Sequence, residues 1–154
     1  MKKAILAVIA VAGAGYGVAR WRSEAPAPAQ TEDDSLVTDR LWIDHIPRGE
    51  RDTIQVFAAI TEEPVGVFEA ASRWKGEFEF FRYEKHGRDM RIVFPQTGTR
   101  DSVKATATKC RTGGMDYCLE LSGSSRGVKK YYSREGWEIG SVQQINALTR
   151  QIAE

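Results

Sequence analysis

The chain has 154 residues, of which 42% are hydrophobic and 28% charged, and this composition excludes wholesale disorder because it can supply a core. The length leaves room for one domain beyond the first twenty or so residues. A net charge of +1 argues against a dedicated nucleic-acid binder, which usually carries a marked basic excess. The first 22 residues hold four basic side chains and no acid, so the remainder carries 18 basic against 21 acidic residues and is mildly acidic.

The N-terminal segment predicts where the protein resides. A lysine pair precedes an unbroken apolar or small stretch at residues 4–19, which is typical of a Sec signal peptide or an N-terminal membrane anchor. Small residues at 12–14 and 17–19 permit cleavage, whereas arginines just after the stretch would suit an anchor by snorkelling. Residues 1–22 therefore predict a cell-envelope protein, either anchored in the inner membrane facing the periplasm or periplasmic or secreted after cleavage.

Residues 23–37 combine alternating Pro and Ala with an acidic cluster. Such a composition offers little apolar surface to bury, so it predicts a disordered linker. The linker would suit an anchored domain or a released one equally well.

Residues 38–139 alternate apolar and polar side chains with turn residues every 8 to 14 positions, which predicts an antiparallel β domain. The clearest strand is 53–60, where every second residue is apolar. Farther on, the apolar positions shift from Phe78 and Phe80 to Phe81 and Tyr83, and this shift predicts a β-bulge near residue 80.

The two cysteines fall on two successive predicted strands. Cys110 and Cys118 both share the parity of polar neighbours, and a three-residue turn at 113–115 would place them directly opposite each other. That arrangement predicts a cross-strand disulfide, which export to an oxidising compartment would support. Two unbridged thiols are the alternative.

Residues 140–154 change to a helical period, with Val142, Ile145, Leu148 and Ile152 at steps of three and four. Ser141 and Gln144 form a capping box, so the segment predicts an amphipathic C-terminal helix packed on the sheet.

Seven or eight short strands in meander order followed by one helix resemble a small up-and-down barrel of the lipocalin-like kind. The lipocalin G-x-W signature is absent, because Trp42 has Arg40 and not Gly two positions before it. The resemblance implies binding of a small apolar ligand inside the barrel. A half-open barrel and a two-layer sandwich are the structural alternatives.

Several motifs suggest chemistry. Residues 123–127 match G-x-S-x-G and would make Ser125 a nucleophile, but a strand pattern follows where a hydrolase needs a helix. His45, beside Asp44, and His86 are the only histidines, and they form no metal-binding motif. No metal or cofactor is predicted.

Two groups of residues are candidates for binding. Aromatic side chains concentrate in the middle of the domain, where they either fill the core or line an apolar pocket; the pocket candidates are Trp74, Phe78, Phe80, Tyr83 and Phe94. Basic residues near the last strand predict a surface for anionic headgroups or acidic polymers, with a solvated strand face as the alternative; they are Arg126, Lys129 and Lys130.

The sequence thus favours a non-enzymatic envelope protein that binds an apolar small molecule or lipid. A membrane-anchored interaction or assembly module, bound to an envelope protein and held by residues 4–19 if these are uncleaved, is the alternative. A serine hydrolase using Ser125 is a more remote one. Nucleic acid is not an expected partner.

Overall fold

A computed structural model describes residues 32–154, so the predicted signal or anchor segment and residues 23–31 of the predicted linker lie outside the described residues. The chain runs through a short 3₁₀ helix, eight strands and one α-helix. In order these are the 3₁₀ helix Asp34–Val37, β1 Arg40–Ile43, β2 Ile54–Ile60, β3 Val65–Ala71, β4 Gly76–His86, β5 Asp89–Val93, β6 Arg100–Thr112, β7 Met115–Ser122, β8 Lys130–Ser133 and α1 Val142–Ala153.

The eight strands form a closed antiparallel barrel in which each strand pairs with its neighbour in the chain. Ile43 of β1 pairs with Tyr132 of β8 and closes the barrel. The prediction of an antiparallel meander with a C-terminal helix is confirmed, and the closed barrel settles the choice against an open sheet or sandwich. Closure removes the unpaired edges that an open sheet would present.

The inner face of the barrel is packed with large side chains. Aromatic rings dominate it, and the centroids of neighbouring rings are 5.2 to 6.2 Å apart. The large aromatic residues of the interior are Trp42, Phe57, Phe68, Phe81, Tyr83, Phe94 and Tyr131. An eight-stranded barrel is just wide enough for side chains to fill, so these rings occupy the interior.

A second core lies on the outer face, where α1 packs against β1, β2 and β3. It is mainly aliphatic and includes Leu41, Ile43, Ile54, Val56 and Ile145. The helix begins where Ser141 accepts a hydrogen bond from the backbone N–H of Gln144, as the capping motif predicts. Strands β1 and β2 are therefore buried on both faces.

The fold begins earlier than residue 38, the predicted start of the β domain. Asp33 caps the 3₁₀ helix, and its backbone N–H donates to the carbonyl of Ala107 on β6 at 3.0 Å. Val37 is fully buried, and its carbonyl accepts a hydrogen bond from Trp42 Nε1 at 3.1 Å. The polar composition around these residues gives no sign of the contacts, because they depend on only two side chains, the buried Val37 and the capping Asp33.

Strand β4 is regular, and the predicted bulge near residue 80 is wrong. Its pairing with β3 runs from Gly76 opposite Ala71 to Arg82 opposite Val65 without a register shift. The apolar pattern changes because the apolar side chains of the first half of the strand are on its outer face and those of the second half are on its inner face. Phe78 and Phe80 face outward, whereas Phe81 and Tyr83 are buried in the interior.

Cys110 and Cys118 form a disulfide between β6 and β7, with a Cα–Cα distance of 5.7 Å. The prediction that they lie directly opposite each other is wrong, because Cys118 pairs with Thr108. Gly113 and Gly114 form a two-residue turn with positive φ angles, and the register then shifts between Lys109 and Thr112. That bulge inserts one extra residue in β6, which offsets the bridged cysteines.

Candidate functional site

The residues predicted to line an apolar pocket are divided between two faces of the barrel wall. Tyr83 and Phe94 are buried inside, and the Tyr83 hydroxyl donates to the carbonyl of Ile60 at 2.9 Å. Trp74 is 70% exposed and Phe78 61% exposed, while Phe80 packs at the edge of the outer core. The five side chains therefore cannot surround one ligand.

The loops at one end of the barrel, between β1 and β2, β3 and β4, β5 and β6, and β7 and β8, form a mouth. Arg126 covers it: its Nε donates to Glu79 Oε2 at 2.6 Å, and its guanidinium lies 4.8 Å from the centre of the Phe94 ring. The hydrogen bond to Glu79 raises the pKa of Arg126. The predicted anion-binding arginine is thus paired and covers the interior.

The other two predicted basic residues are exposed on a different part of the surface. Lys130 lies opposite Glu120 in the register of β7 and β8, and Lys129 lies in the loop before β8. The structure does not bring Arg126, Lys129 and Lys130 together around a common point.

Ser125 lies in a loop, and the element that directly follows this loop is strand β8 and not a helix. Its hydroxyl donates to Asp101 Oδ2 at 2.7 Å and lies 2.9 Å from Arg126 Nη1. An esterase serine sits at a strand-to-helix elbow and donates to an imidazole. Ser125 has neither arrangement, and its hydrogen bonds order the loop.

His45 lies between two carboxylates in the loop after β1. Its Nδ1 is 2.8 Å from Asp44 Oδ1, and its Nε2 is 3.2 Å from Asp52 Oδ2. Burial lowers the pKa of His45, but the hydrogen bonds to Asp52 and Asp44 outweigh it and raise the pKa overall. Both ring nitrogens are occupied, so His45 ties the loop together.

A candidate site is the groove of about 530 Å³ between the β3–β4 hairpin and the C-terminal half of α1, called here the hairpin–helix groove. Trp74 at the hairpin tip and Phe78 on β4 supply its exposed aromatic surface. Glu69 from β3 and Thr149 and Arg150 from α1 supply its polar surface.

Two polar atoms in this groove lack hydrogen-bond partners among the described residues. Glu69 Oε2 and Thr149 Oγ1 are both buried, and Thr149 as a whole is only 2% exposed. Burial raises the pKa of the Glu69 carboxyl, against the opposing positive charge of Arg150. A buried polar group without a partner is costly, so the groove holds hydrogen-bonding capacity that the fold itself does not use.

The charged residues around the groove are partly neutralised. Arg73 forms an ion pair with Glu50, and Lys75 forms one with Glu77. Arg73 also lies over the Trp74 ring, with its guanidinium 5.2 Å from the ring centre. The rim is therefore polar and ordered, while the aromatic side chains remain open to solvent.

Sequence reasoning found Trp74 and Phe78 but missed Glu69 and Thr149. A signal for both exists. Glu69 shares the outward parity of Val67 and Ala71, and Thr149 falls within the apolar stripe of the helix, beside Leu148. Strand alternation and helical period assign both positions to the core, so a polar residue at either position indicates that the core ends there.

Among residues 32–154, no helix is long and apolar enough to span a bilayer. The same residues contain no group of His, Cys, Asp or Glu side chains arranged for a metal ion. Comparisons with family models, with curated proteins and with solved structures found no match.

Proposed function

We propose that this chain is a non-enzymatic binding protein of the cell envelope that holds its ligand on the outside of the barrel, in the hairpin–helix groove. One observation carries the proposal: two buried polar atoms without hydrogen-bond partners among residues 32–154, Glu69 Oε2 and Thr149 Oγ1, belong to residues that line the same groove as two exposed aromatic side chains. Binding sites commonly combine apolar surface with a few convergent polar groups.

The interior supports this choice of location. Aromatic rings fill it, and the Arg126–Glu79 pair covers its mouth. A ligand carried inside, as in lipocalin-like barrels, would have to displace several buried rings. A ligand in the groove displaces only solvent.

The groove favours a ligand with two kinds of surface. A flat apolar part would pack on Trp74 and Phe78, which bury substantial area at small entropic cost. A polar part with hydrogen-bond donors would reach Glu69 and Thr149 and recover their desolvation penalty. The ligand class is therefore an amphiphilic small molecule or lipid.

A second candidate function is a membrane-anchored interaction module. Its support is the exposure of Trp74 at 70% and Phe78 at 61%, because aromatic residues often anchor protein interfaces. If residues 1–22 remain attached, the domain would be held at the membrane and would present this hairpin to an envelope protein.

Native mass spectrometry of the full chain, purified gently from the cell envelope, tests the proposal. We expect a retained small-molecule adduct on the native chain and its loss in Trp74→Ala combined with Glu69→Gln. Ile46→Ala combined with Glu62→Gln is the matched control, since Ile46 is an exposed apolar residue, Glu62 is an exposed acidic residue and neither lines the groove. An adduct that survives the groove double variant would contradict the proposed site.

Photocrosslinking separates the two functions. A photoreactive amino acid at position 78, incorporated in intact cells, should give few protein adducts if the groove holds a small molecule. A reproducible protein adduct, with no ligand mass on the native chain, would favour the interaction module.

A further inference from the structure

Three arginines come together on the outer face of β4, β5 and β6, away from the hairpin–helix groove. Val93 on β5 lies directly opposite Arg82 on one side and Arg100 on the other. Arg91 lies two residues before Val93 on the same strand and therefore on the same face. The three side chains surround the exposed Val93, and all three are themselves exposed.

The sheet register sets the spacing of these arginines. Adjacent strands lie about 4.8 Å apart, so the Cα atoms of Arg82 and Arg100 are separated by roughly 10 Å across β5. Arg91 lies diagonally from each, at about 7–8 Å. Arginine side chains are long enough to bring three guanidinium groups to one bound group at these distances.

Within residues 32–154, none of the three arginines forms an ion pair, although other arginines such as Arg40, Arg73 and Arg126 do. Two acidic residues, Asp101 and Glu84, are also among the residues that line this surface. Asp101 accepts hydrogen bonds from the Ser125 backbone and hydroxyl, and Glu84, opposite Arg91, forms no ion pair within the described residues. Like charges at neighbouring sheet positions repel, so the arrangement has a cost that a bound anion would offset.

The surface is also concave. These arginines line a depression of about 960 Å³, whose lining also includes the apolar residues Pro64, Val65 and Val93. A depression partly lined by apolar residues fits a discrete molecule better than the flat plane of a bilayer.

We propose that this arginine surface, Arg82, Arg91 and Arg100, binds the phosphate group of a small amphiphilic molecule. Arginine forks match phosphate and carboxylate oxygens in pairs. A phosphate presents three or four oxygens in a tetrahedron and can accept from three separate guanidinium groups, whereas a carboxylate has only two oxygens. The apolar part of the ligand lies against Val65 and Val93. This site is independent of the hairpin–helix groove, since the two share no residue.

Isothermal titration calorimetry with hexyl phosphate tests this site on the full chain in phosphatidylcholine nanodiscs, with protein-free nanodiscs as background. Inorganic phosphate and hexanol serve as the two halves of the probe. We expect hexyl phosphate to bind more tightly than either half. The affinity should fall at least tenfold in Arg82→Gln/Arg91→Gln/Arg100→Gln and should weaken as salt is added.

The matched control removes the same charge elsewhere, as Arg48→Gln/Arg51→Gln/Arg111→Gln at three exposed positions outside this depression. It should leave the affinity within twofold. An equal loss in both triple variants would reduce the effect to net charge and overturn the site. Equal affinity for inorganic phosphate and hexyl phosphate would overturn the apolar contact. If the first triple variant fails to fold, Arg91→Gln alone should still weaken binding, and an unchanged affinity would contradict the proposal.

Discussion

The two cores of this protein differ in chemistry and in how completely they are closed. The barrel interior is built from aromatic rings, including Trp42, Phe57 and Phe81, whereas the outer core under α1 is mainly aliphatic. A closed barrel leaves a wide central space that large rings fill efficiently. A helix lying on a sheet leaves a thinner space, which suits branched aliphatic side chains.

The difference underlies our proposal that a ligand binds outside the barrel. The interior is bounded by strands on all sides and covered by Arg126 at the mouth. The outer core instead ends along one border, where Glu69 and Thr149 keep polar atoms without partners among the described residues. A closed core serves stability, while the border of an open one leaves groups available for binding.

The largest expected effect comes from breaking the interior. Phe57 contacts three other rings, at centroid distances of 5.2 Å to Phe68, 5.9 Å to Phe81 and 6.0 Å to Tyr131. We expect Phe57→Ala to lower the free energy of unfolding by roughly 3–5 kcal/mol, because the closed barrel cannot collapse into the cavity. Urea unfolding, monitored by circular dichroism, measures this loss of stability. Phe78→Ala, on the exposed side, should stay within about 0.5 kcal/mol, and equal losses would refute the distinction.

A smaller effect is expected in the outer core. Ile145 is 1% exposed and lies on the face of α1 that packs against the sheet. Ile145→Ala should cost roughly 2–3 kcal/mol, in the lower part of the usual range, since the helix can shift to fill the gap and alanine favours helix. In Ile145→Ala, amide hydrogen exchange should accelerate in α1 more than in β6. The control Gln151→Ala, on the exposed face of the helix, should change neither the stability nor the exchange rates. Equal acceleration in β6 would mean that both cores open as one unit.

The sequence predicted the parts of the fold that depend on local pattern. Alternation in β2 and the helical period after Ser141 gave the strands and the helix, and the parity of Cys110 and Cys118 gave the disulfide. Both strand alternation and helix period are properties of a few consecutive residues, so they can be recognised without knowing the partners.

The candidate sites depend on residues that are distant in the chain. The groove joins Glu69 to Thr149, which are 80 positions apart, and the arginine surface depends on the register of β4, β5 and β6. The sequence analysis grouped the aromatic residues because they are near each other in the chain. In the structure, Trp74 lies outside the barrel and Phe94 lies inside it. Register and closure decide such groupings, and neither can be inferred from one strand at a time.

The smallest effect concerns Glu69, at the border of the outer core. Burial raises the pKa of its carboxyl above that of the unfolded chain, although Arg150 opposes the shift. The folded state therefore retains the proton longer as pH rises. The stability contributed by protonated Glu69 is fully present below the unfolded pKa and is lost as pH rises through the folded pKa.

Glu69→Gln keeps the shape of the protonated side chain but cannot ionise. The variant should be as stable as the native chain at acidic pH and more stable than it once the pH rises through the folded pKa of Glu69. This gain in stability should be smaller than the loss caused by Phe57→Ala or Ile145→Ala. Urea unfolding of both proteins from pH 4 to pH 8 measures the difference, with Glu62→Gln at an exposed turn as the control. A difference that is constant across pH would mean that the Glu69 carboxyl titrates alike in the folded and unfolded chains. The border of the outer core would then be solvated like any surface, and the groove would lose its polar half.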